Sequence, residues 1–532
     1  MTERDLRQGR RDFFKVAGGG MGALAVAAPP LRAQAAPPPS GAARFDVTAF
    51  GAIGDGKTIA SPAINRALEA ASAAGGGTVH VPAGQYLCYS IHLQSNVTLY
   101  LDHGAVIIAA DPLPPGQPGG YDDPGPAQPW EAYQDFGHNH WRNSLIWGIG
   151  LENVSILGPG RIYGRGLSRA NGPDSRDPAA RRIQGVANKS ISLKNCHNVL
   201  LRDFQILQGG WFGILATGVD NFVVDNLLID TNRDGMDIDC CWNVRVTNCS
   251  VNSPWDDAIV LKSSYALGAP RPTKNVALSN NYVTGVWQLG TMLDGTRKGF
   301  GPNAPHVSHT GRIKFGTESN GGFQNINITN CAFEGCQGLA IETVDGALLE
   351  DITISNITMR HIITAPIFMR LGRRLRGPAA TTHPGALRRV TISNVVCSNA
   401  ASEWGCIISG IPGFPIEDVK LSDIYIQQRG GGTAAQAAIE PPENASGYPE
   451  PTMFGHMPSQ GMFIRHARNL EVSGFEVAAM TPDVRPGFVL EDVDGVDLFH
   501  IKTPAGAKPV ELRSGTNVTA RWVRGLNDGA VS

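Results

Sequence analysis

The sequence predicts an all-β fold, a single right-handed parallel β-helix (solenoid) with a short N-terminal capping helix and long inserted loops. Three observations carry this reading. Glycine supplies 64 of the 532 residues and proline 36, so the chain turns often, and without a Gly-X-Y period it is no collagen-like rod. A phrase of Asn or Asp followed by alternating aliphatics recurs at Asn96, Asn153, Asn198, Asn221, Asn243, Asn275, Asn325, Asp351, Asp418 and Asn469. Where the phrase recurs most closely, as from Asn198 to Asn221 and on to Asn243, no long amphipathic helix stands between the strands. This is the pattern of coils that bury their inward side chains only by stacking. Immunoglobulin-like sandwiches and jelly rolls do not repeat one phrase in this way. The recurring Asn is expected to be buried at the turns, bonding to the backbone of the coils above and below.

Taken in order, residues 1–35 read as a twin-arginine signal peptide: Arg10-Arg11-Asp12-Phe13-Phe14-Lys15, a Gly/Ala-rich run from Val16 to Ala28, then Ala33-Gln34-Ala35. The apolar run is too short to anchor a chain in a bilayer. The expected location is periplasmic or secreted. Residues 36–44 follow as a Pro-rich linker, and 45–525 as the β-helix catalytic domain. Residues 61–74 form the one strong helix, with Ser61 as cap, Pro62 in the first turn and Gly75-Gly76-Gly77 as stop. It would cover the open N-terminal end of the solenoid. Long inserts are expected at Pro112 to Asn143, Tyr265 to His309 and Gly430 to Pro458, with Trp130, Tyr133, Trp141, Trp287 and Tyr448 as candidate stacking surfaces for sugar rings.

Composition bounds the partners. With 42% hydrophobic and 17% charged residues the chain can bury a large core, and a formal net charge of −2 leaves no basic footprint. Nucleic acid and membrane are therefore excluded as partners. Nine cysteines are too few for a disulfide scaffold of this length, at least one lacks an intramolecular mate, and the vicinal Cys240-Cys241 is no CxxC metal pair. No metal and no organic cofactor are implied. The oligomeric state is left open.

One region is unusually acidic: Asp234-Gly235-Met236-Asp237-Ile238-Asp239, then Asp256-Asp257 ahead of the strand Ala258 to Leu261. Asp234 and Asp257 are separated by the same interval as Asn198 and Asn221, one coil of the repeat, so they should stack on one face. Strands of neighbouring coils lie about 4.8 Å apart, and like charges at that range push at least one pKa up. Hydrolysis of a glycosidic bond needs such a set: one protonated carboxyl for the leaving oxygen and one carboxylate for water, about 6.5 to 9.5 Å apart where configuration inverts. Asp237 and Asp239 read as turn residues, since Asp favours tight turns. A calcium ion is the rival occupant of the cluster.

At these residues the chain resembles the polygalacturonase family, glycoside hydrolase family 28, over about residues 45–360. The likeness rests on Phe50-Gly51-Ala52-Ile53-Gly54-Asp55-Gly56-Lys57, Gly75-Gly76-Gly77-Thr78-Val79-His80-Val81-Pro82, Gly158-Pro159-Gly160-Arg161-Ile162-Tyr163-Gly164, Asn232-Arg233-Asp234-Gly235 and Asp256-Asp257 with Lys262. It implies a pectin-lyase-like β-helix, with Asp256 as general acid and Asp234 with Asp257 holding and deprotonating water. Two departures accompany it. The family's supporting His falls at Gly311, with His309 two residues away. The family's Arg-Ile-Lys grip on the sugar carboxylate falls at Ala340-Ile341-Glu342, whereas a literal Arg312-Ile313-Lys314 stands one coil earlier.

The expected activity is thus a secreted inverting glycoside hydrolase acting on a pectin-type or related acidic polysaccharide or oligosaccharide, exo-acting if two inserts close one end of the groove. Asp234, Asp256 and Asp257 are the candidate catalytic residues, and Lys262, Arg312, Lys314, Glu318 and Glu342 the candidate substrate-binding residues. A polysaccharide lyase using Arg312, Lys314 or Lys262 as base is one alternative, and a non-catalytic carbohydrate-binding β-helix the other. Arg370, Arg373, Arg374 and Arg376 read as a solvated turn, with a loop that supplies anion grip as the alternative.

Overall fold

The computed structural model describes residues 43–114, 116–169, 184–301 and 307–532. The expected export segment, residues 1–35, lies outside the described residues, as does most of the 36–44 linker. Strands run from Arg44–Asp46 to Gly529–Ala530 in one continuous right-handed parallel β-helix. The strands pair in parallel with their neighbours until the last, where Thr519 and Ala520 pair antiparallel with Ala530 and Gly529. That final hairpin covers the edge at which another strand would otherwise add.

The repeated phrase builds the coils. Val199, Phe222, Val244, Val276, Ile326 and Ile352 stack in register on successive coils, and each is buried. Burial of one such side chain is worth about 1.5–3 kcal/mol, but only the next coil supplies the cover. The Asn ladder differs from expectation. All ten phrase positions adopt the left-handed conformation, with φ between 52° and 63°, and the Asn residues are exposed, or half-buried at Asn275, rather than buried. They bond to one another instead of to backbone: Asn153 donates to Asn96 at 2.7 Å, Asn198 to Asn153 and Asn221 to Asn198 at 2.9 Å. The reason is conformational, since each coil turns through a residue with positive φ and Asn tolerates that region better than other side chains.

The capping helix spans Ser61–Ala73 and buries Ala63, Ile64, Ala67, Leu68 and Ala71 against the first coils. Ala60, not Ser61, is its N-cap; Ser61 is the first helical residue, and its hydroxyl accepts from the Tyr89 amide at 3.2 Å. The insert at Tyr265 to His309 is shorter than expected. Strands Thr273–Ser279 and Tyr282–Thr284 fall inside it and complete an ordinary coil. All nine cysteines are buried and free. Among the described residues no helix is long and apolar enough to cross a membrane.

Candidate active site

Asp234 opens strand Asp234–Asp239, and Asp256 and Asp257 lie just ahead of its parallel neighbour, strand Ile259–Ser263. Met236 of strand Asp234–Asp239 lies opposite Ile259, and Ile259 opposite Ile313 of strand Ile313–Ser319, so Asp234 is stacked on Asp257 at a spacing of one coil. Gly235 permits this approach: a Cβ there would lie 2.3 Å from the Ala258 carbonyl oxygen. Asp234, Asp256 and Asp257 each bring an oxygen within 4.8 Å of the others. These oxygens meet more closely than the separation of about 6.5 to 9.5 Å expected for the carboxyl groups of an inverting pair, because coil spacing sets their distance.

Each acid has a different electrostatic setting. Burial alone would raise Asp256, but the Arg233 guanidinium beside it, donating from Nε at 3.1 Å and also from Nη2, holds its carboxyl below the usual range. Asp257 accepts from Arg312 Nε at 2.8 Å and has Lys314 Nζ at 3.6 Å. Asp234 is pushed well above its ordinary value by burial and by the charges of Asp256 and Asp237. Of these two, Asp234 is the better proton holder and Asp256 the better carboxylate.

The cations behind these acids are themselves saturated. Lys262 donates to Glu318 at 2.9 Å and lies 3.5 Å from Asp237. Burial opposes its charge, yet Asp237 and Glu318 hold its pKa well up. Arg312 also bonds to Glu450, whose carboxylate lies 3.4 Å from Lys314. Lys314 is 3.6 Å from Glu342, and burial, only partly offset by Lys314, pushes Glu342 up to about 8. Among the described residues two groups have the spacing of metal ligands, the acidic trio and Asp135 with His138 and Glu318. Both already face ammonium or guanidinium groups, which disfavours calcium, a hard ion that takes about six to eight free oxygens.

The site lies in a cleft of about 390 Å³. Of the sequence candidates, the trio, Lys262, Lys314 and Glu318 line it. Arg312 and Glu342 do not: with 1% and 0% exposure they lie behind the wall, because their charges are engaged by Asp257, Glu450 and Lys314. Gly311 cannot be replaced by a larger residue, since a Cβ there would lie 2.2 Å from the Thr284 carbonyl oxygen. His309 donates from Nδ1 to the Gly285 carbonyl at 2.8 Å, outside the cleft. Asp237 and Asp239 are not turn residues; both are buried in strand Asp234–Asp239, the first against His138 at 3.1 Å and the second accepting from the Ser264 hydroxyl at 2.6 Å.

Several wall residues carry no sequence signal that marks them as part of the site: His138 and Asp135 from the first insert, and Trp211. Arg233, visible in the sequence only as part of a motif, contacts Asp256 directly. The arginine cluster is no solvated turn either. Arg370 donates to Ser409 Oγ at 2.7 Å and to the Glu443 carbonyl at 2.7 Å, and Arg374 pairs with buried Asp345. Of the four, Arg376 reaches the cleft, 3.7 Å from Glu318. Among the aromatics, Trp130 and Trp141 are loop anchors, donating to the Ala266 carbonyl at 3.2 Å and to Thr217 Oγ1 at 3.1 Å. Tyr448 is 53% exposed and lines the cleft.

Comparison with known proteins agrees with this fold. A family described as "Rhamnogalacturonase A/epimerase, pectate lyase-like" matches residues 44–112, and "Right handed beta helix region" matches residues 181–300. A probable polygalacturonase of Vitis vinifera is 24% identical over 438 residues, 77% of this chain and 80% of the grape protein. The chain is thus similar to polygalacturonases, and the likeness supports a divergent relative of glycoside hydrolase family 28. An exo-poly-alpha-D-galacturonosidase of Dickeya chrysanthemi is 26% identical over 284 residues, 45% of each chain. The Yersinia enterocolitica family 28 exopolygalacturonase shares the fold with a TM-score of 0.61 and 19% identity, covering 88% of this chain and 79% of that one. Gly311, Ala340 and Glu342, where the sequence departs from the family motifs, fall behind the cleft wall or in the coil beyond it.

Proposed function

We propose that the chain is an exported glycoside hydrolase of pectin-type uronans, and the observation that carries this is the convergence of three acids in one cleft. A binding module has no need to stack three carboxylates within 4.8 Å of one another, an unfavourable arrangement that provides both a bound proton and a free carboxylate. Burial and neighbouring charge favour the protonated form of Asp234 while Arg233 favours the ionised form of Asp256, so the trio brings an acid and a base together. Arg233, Lys262, Lys314 and Arg376 on the walls favour an acidic sugar. The lyase alternative needs a neutral base. Its candidates Arg312, Lys314 and Lys262 are each in contact with carboxylates that hold them protonated.

Exo-action is part of the same proposal. Two inserts wall the cleft, the first with Asp135 and His138 and the last with Tyr448, and from the middle one Phe300 packs on Trp255, 5.4 Å between ring centroids, beside Asp256. Periplasmic or secreted location remains a proposal resting on the Arg10-Arg11 segment. Nine buried, unpaired thiols suit a chain that folds in a reducing compartment before export.

A single digest of polygalacturonate tests the reading. Reducing ends are expected to accumulate with no new ultraviolet absorbance, while viscosity falls slowly. Absorbance from an unsaturated uronide means elimination and refutes hydrolysis; a steep early loss of viscosity with few ends refutes the closed groove.

A further inference from the structure

Arg233 stands where it can do more than neutralise a neighbour. Its guanidinium stacks 4.9 Å over the Trp211 ring, contacts Asp256 and lines the cleft. The resemblance assigns Asp256 the acid role, and an acid must carry a proton when it meets the leaving oxygen. While Arg233 is in contact, it favours the ionised form of Asp256. The other groups facing Asp256 are Asp234 and Asp257, then Lys262, Lys314 and Tyr448. Lys262 and Lys314 are already held by Glu318 and Asp237, and by Asp257, Glu342 and Glu450. Arg233 is therefore the cation whose departure changes the state of Asp256 most.

We propose that Arg233 is a latch worked by the substrate: the carboxylate of a uronide in the cleft draws the guanidinium off Asp256, which is then free to take a proton from its neighbour Asp234. This rests on the hydrolase reading. The transfer balances within the site, since Asp234 Oδ loses the proton that Asp256 Oδ gains across less than 4.8 Å, directly or over one water. It arms both roles together: Asp256 becomes the acid, and Asp234, now a carboxylate, joins Asp257 on the water. A uronide whose carboxyl is methyl-esterified cannot work the latch, so selection for the free acid operates through the rate and not only through binding. Arg233 is in this sense a positioning residue acting through Asp256.

The test compares trigalacturonate with its methyl ester on wild type, Arg233→Gln and Arg233→Lys. Wild type is expected to prefer the acid, chiefly in kcat. Arg233→Gln should raise KM for the acid yet turn over the ester faster than wild type, by about tenfold for each unit by which the Asp256 pKa recovers. Arg233→Lys, which keeps the charge, should retain the wild-type preference. A residue that merely binds the substrate carboxylate, or merely supports the fold, gives no gain on the ester. An ester rate in Arg233→Gln equal to or below wild type overturns the latch. Should that variant fail to fold, wild type alone decides, because acetate ought to occupy Arg233 and accelerate ester hydrolysis, and no acceleration overturns the proposal. If wild type cleaves neither substrate, the hydrolase reading falls and the latch with it; cleavage of both at equal kcat removes the latch alone.

Discussion

Asp256→Asn and Asp234→Asn are each expected to lower kcat on oligogalacturonate by about 10²–10⁴-fold with KM little changed, the range for loss of a general acid or base. The pair acts as a unit, so the double variant should lose scarcely more than either single one. The pH profile separates them. On the acid side the rate falls as the ionised member of the pair takes a second proton, and Asp256, held low by Arg233, places this limb below the usual carboxylate range. On the alkaline side the rate falls as the pair loses its remaining proton, and Asp234, raised by burial and by Asp256 and Asp237, places that limb well above it. Both limbs belong to the coupled pair. Asp234→Asn should move the alkaline limb down toward the range of Asp256 in whatever activity remains, while circular dichroism stays that of wild type. More than about a tenth of the wild-type rate in either variant would remove that residue from the acid–base chemistry.

How much of this is visible in the sequence follows from how each feature is encoded. The solenoid is legible because the Asn-aliphatic phrase is a local pattern repeated at the coil spacing, and the trio because the interval from Asp234 to Asp257 equals one coil. Side chains that arrive from inserts are not. His138, Arg376 and Glu450 reach the site over sequence separations that carry no period, and a lone His or Glu in a Pro-rich stretch has no signature. Asp237 and Asp239 read as turn residues because Asp-Gly is a turn signal in isolation; here Gly235 is required by the Ala258 carbonyl of the next coil, and the strand continues through it. Arg370 and Arg374 mislead for a related reason: clustered arginines are usually solvated, but these bind carbonyls and a buried Asp345 that lie 29 or more residues away. Arg233 is in plain view inside a motif, and only its contact with Asp256 gives it meaning.

Arg312→Ala is expected to destabilise the fold by about 3–5 kcal/mol, the usual consequence of removing one partner of a buried ion pair. Arg312 is 1% exposed and joins Asp257 to Glu450, so it ties the catalytic coil to the last insert, on which Tyr448 also sits. Without it Asp257 and Glu450 remain buried near Glu342, with Lys314 as the sole cation among the four. The pH dependence identifies the cause. In wild type Arg312, acting against burial, holds Glu450 below its ordinary value; the stability this contributes is present above the unfolded pKa and is lost as pH falls through the folded one. In Arg312→Ala the burial of Glu450 is no longer offset by that guanidinium, its pKa rises instead, and stability is lost above its unfolded pKa and regained below it. The deficit measured by urea unfolding should therefore be large near neutral pH and shrink toward about pH 4. Glu450→Gln alone should cost less, and the double variant should show a coupling of about 0.5–3 kcal/mol. A deficit that is equal at both pH values would mean that Arg312 acts through packing alone and that its link to Asp257 and Glu450 contributes nothing.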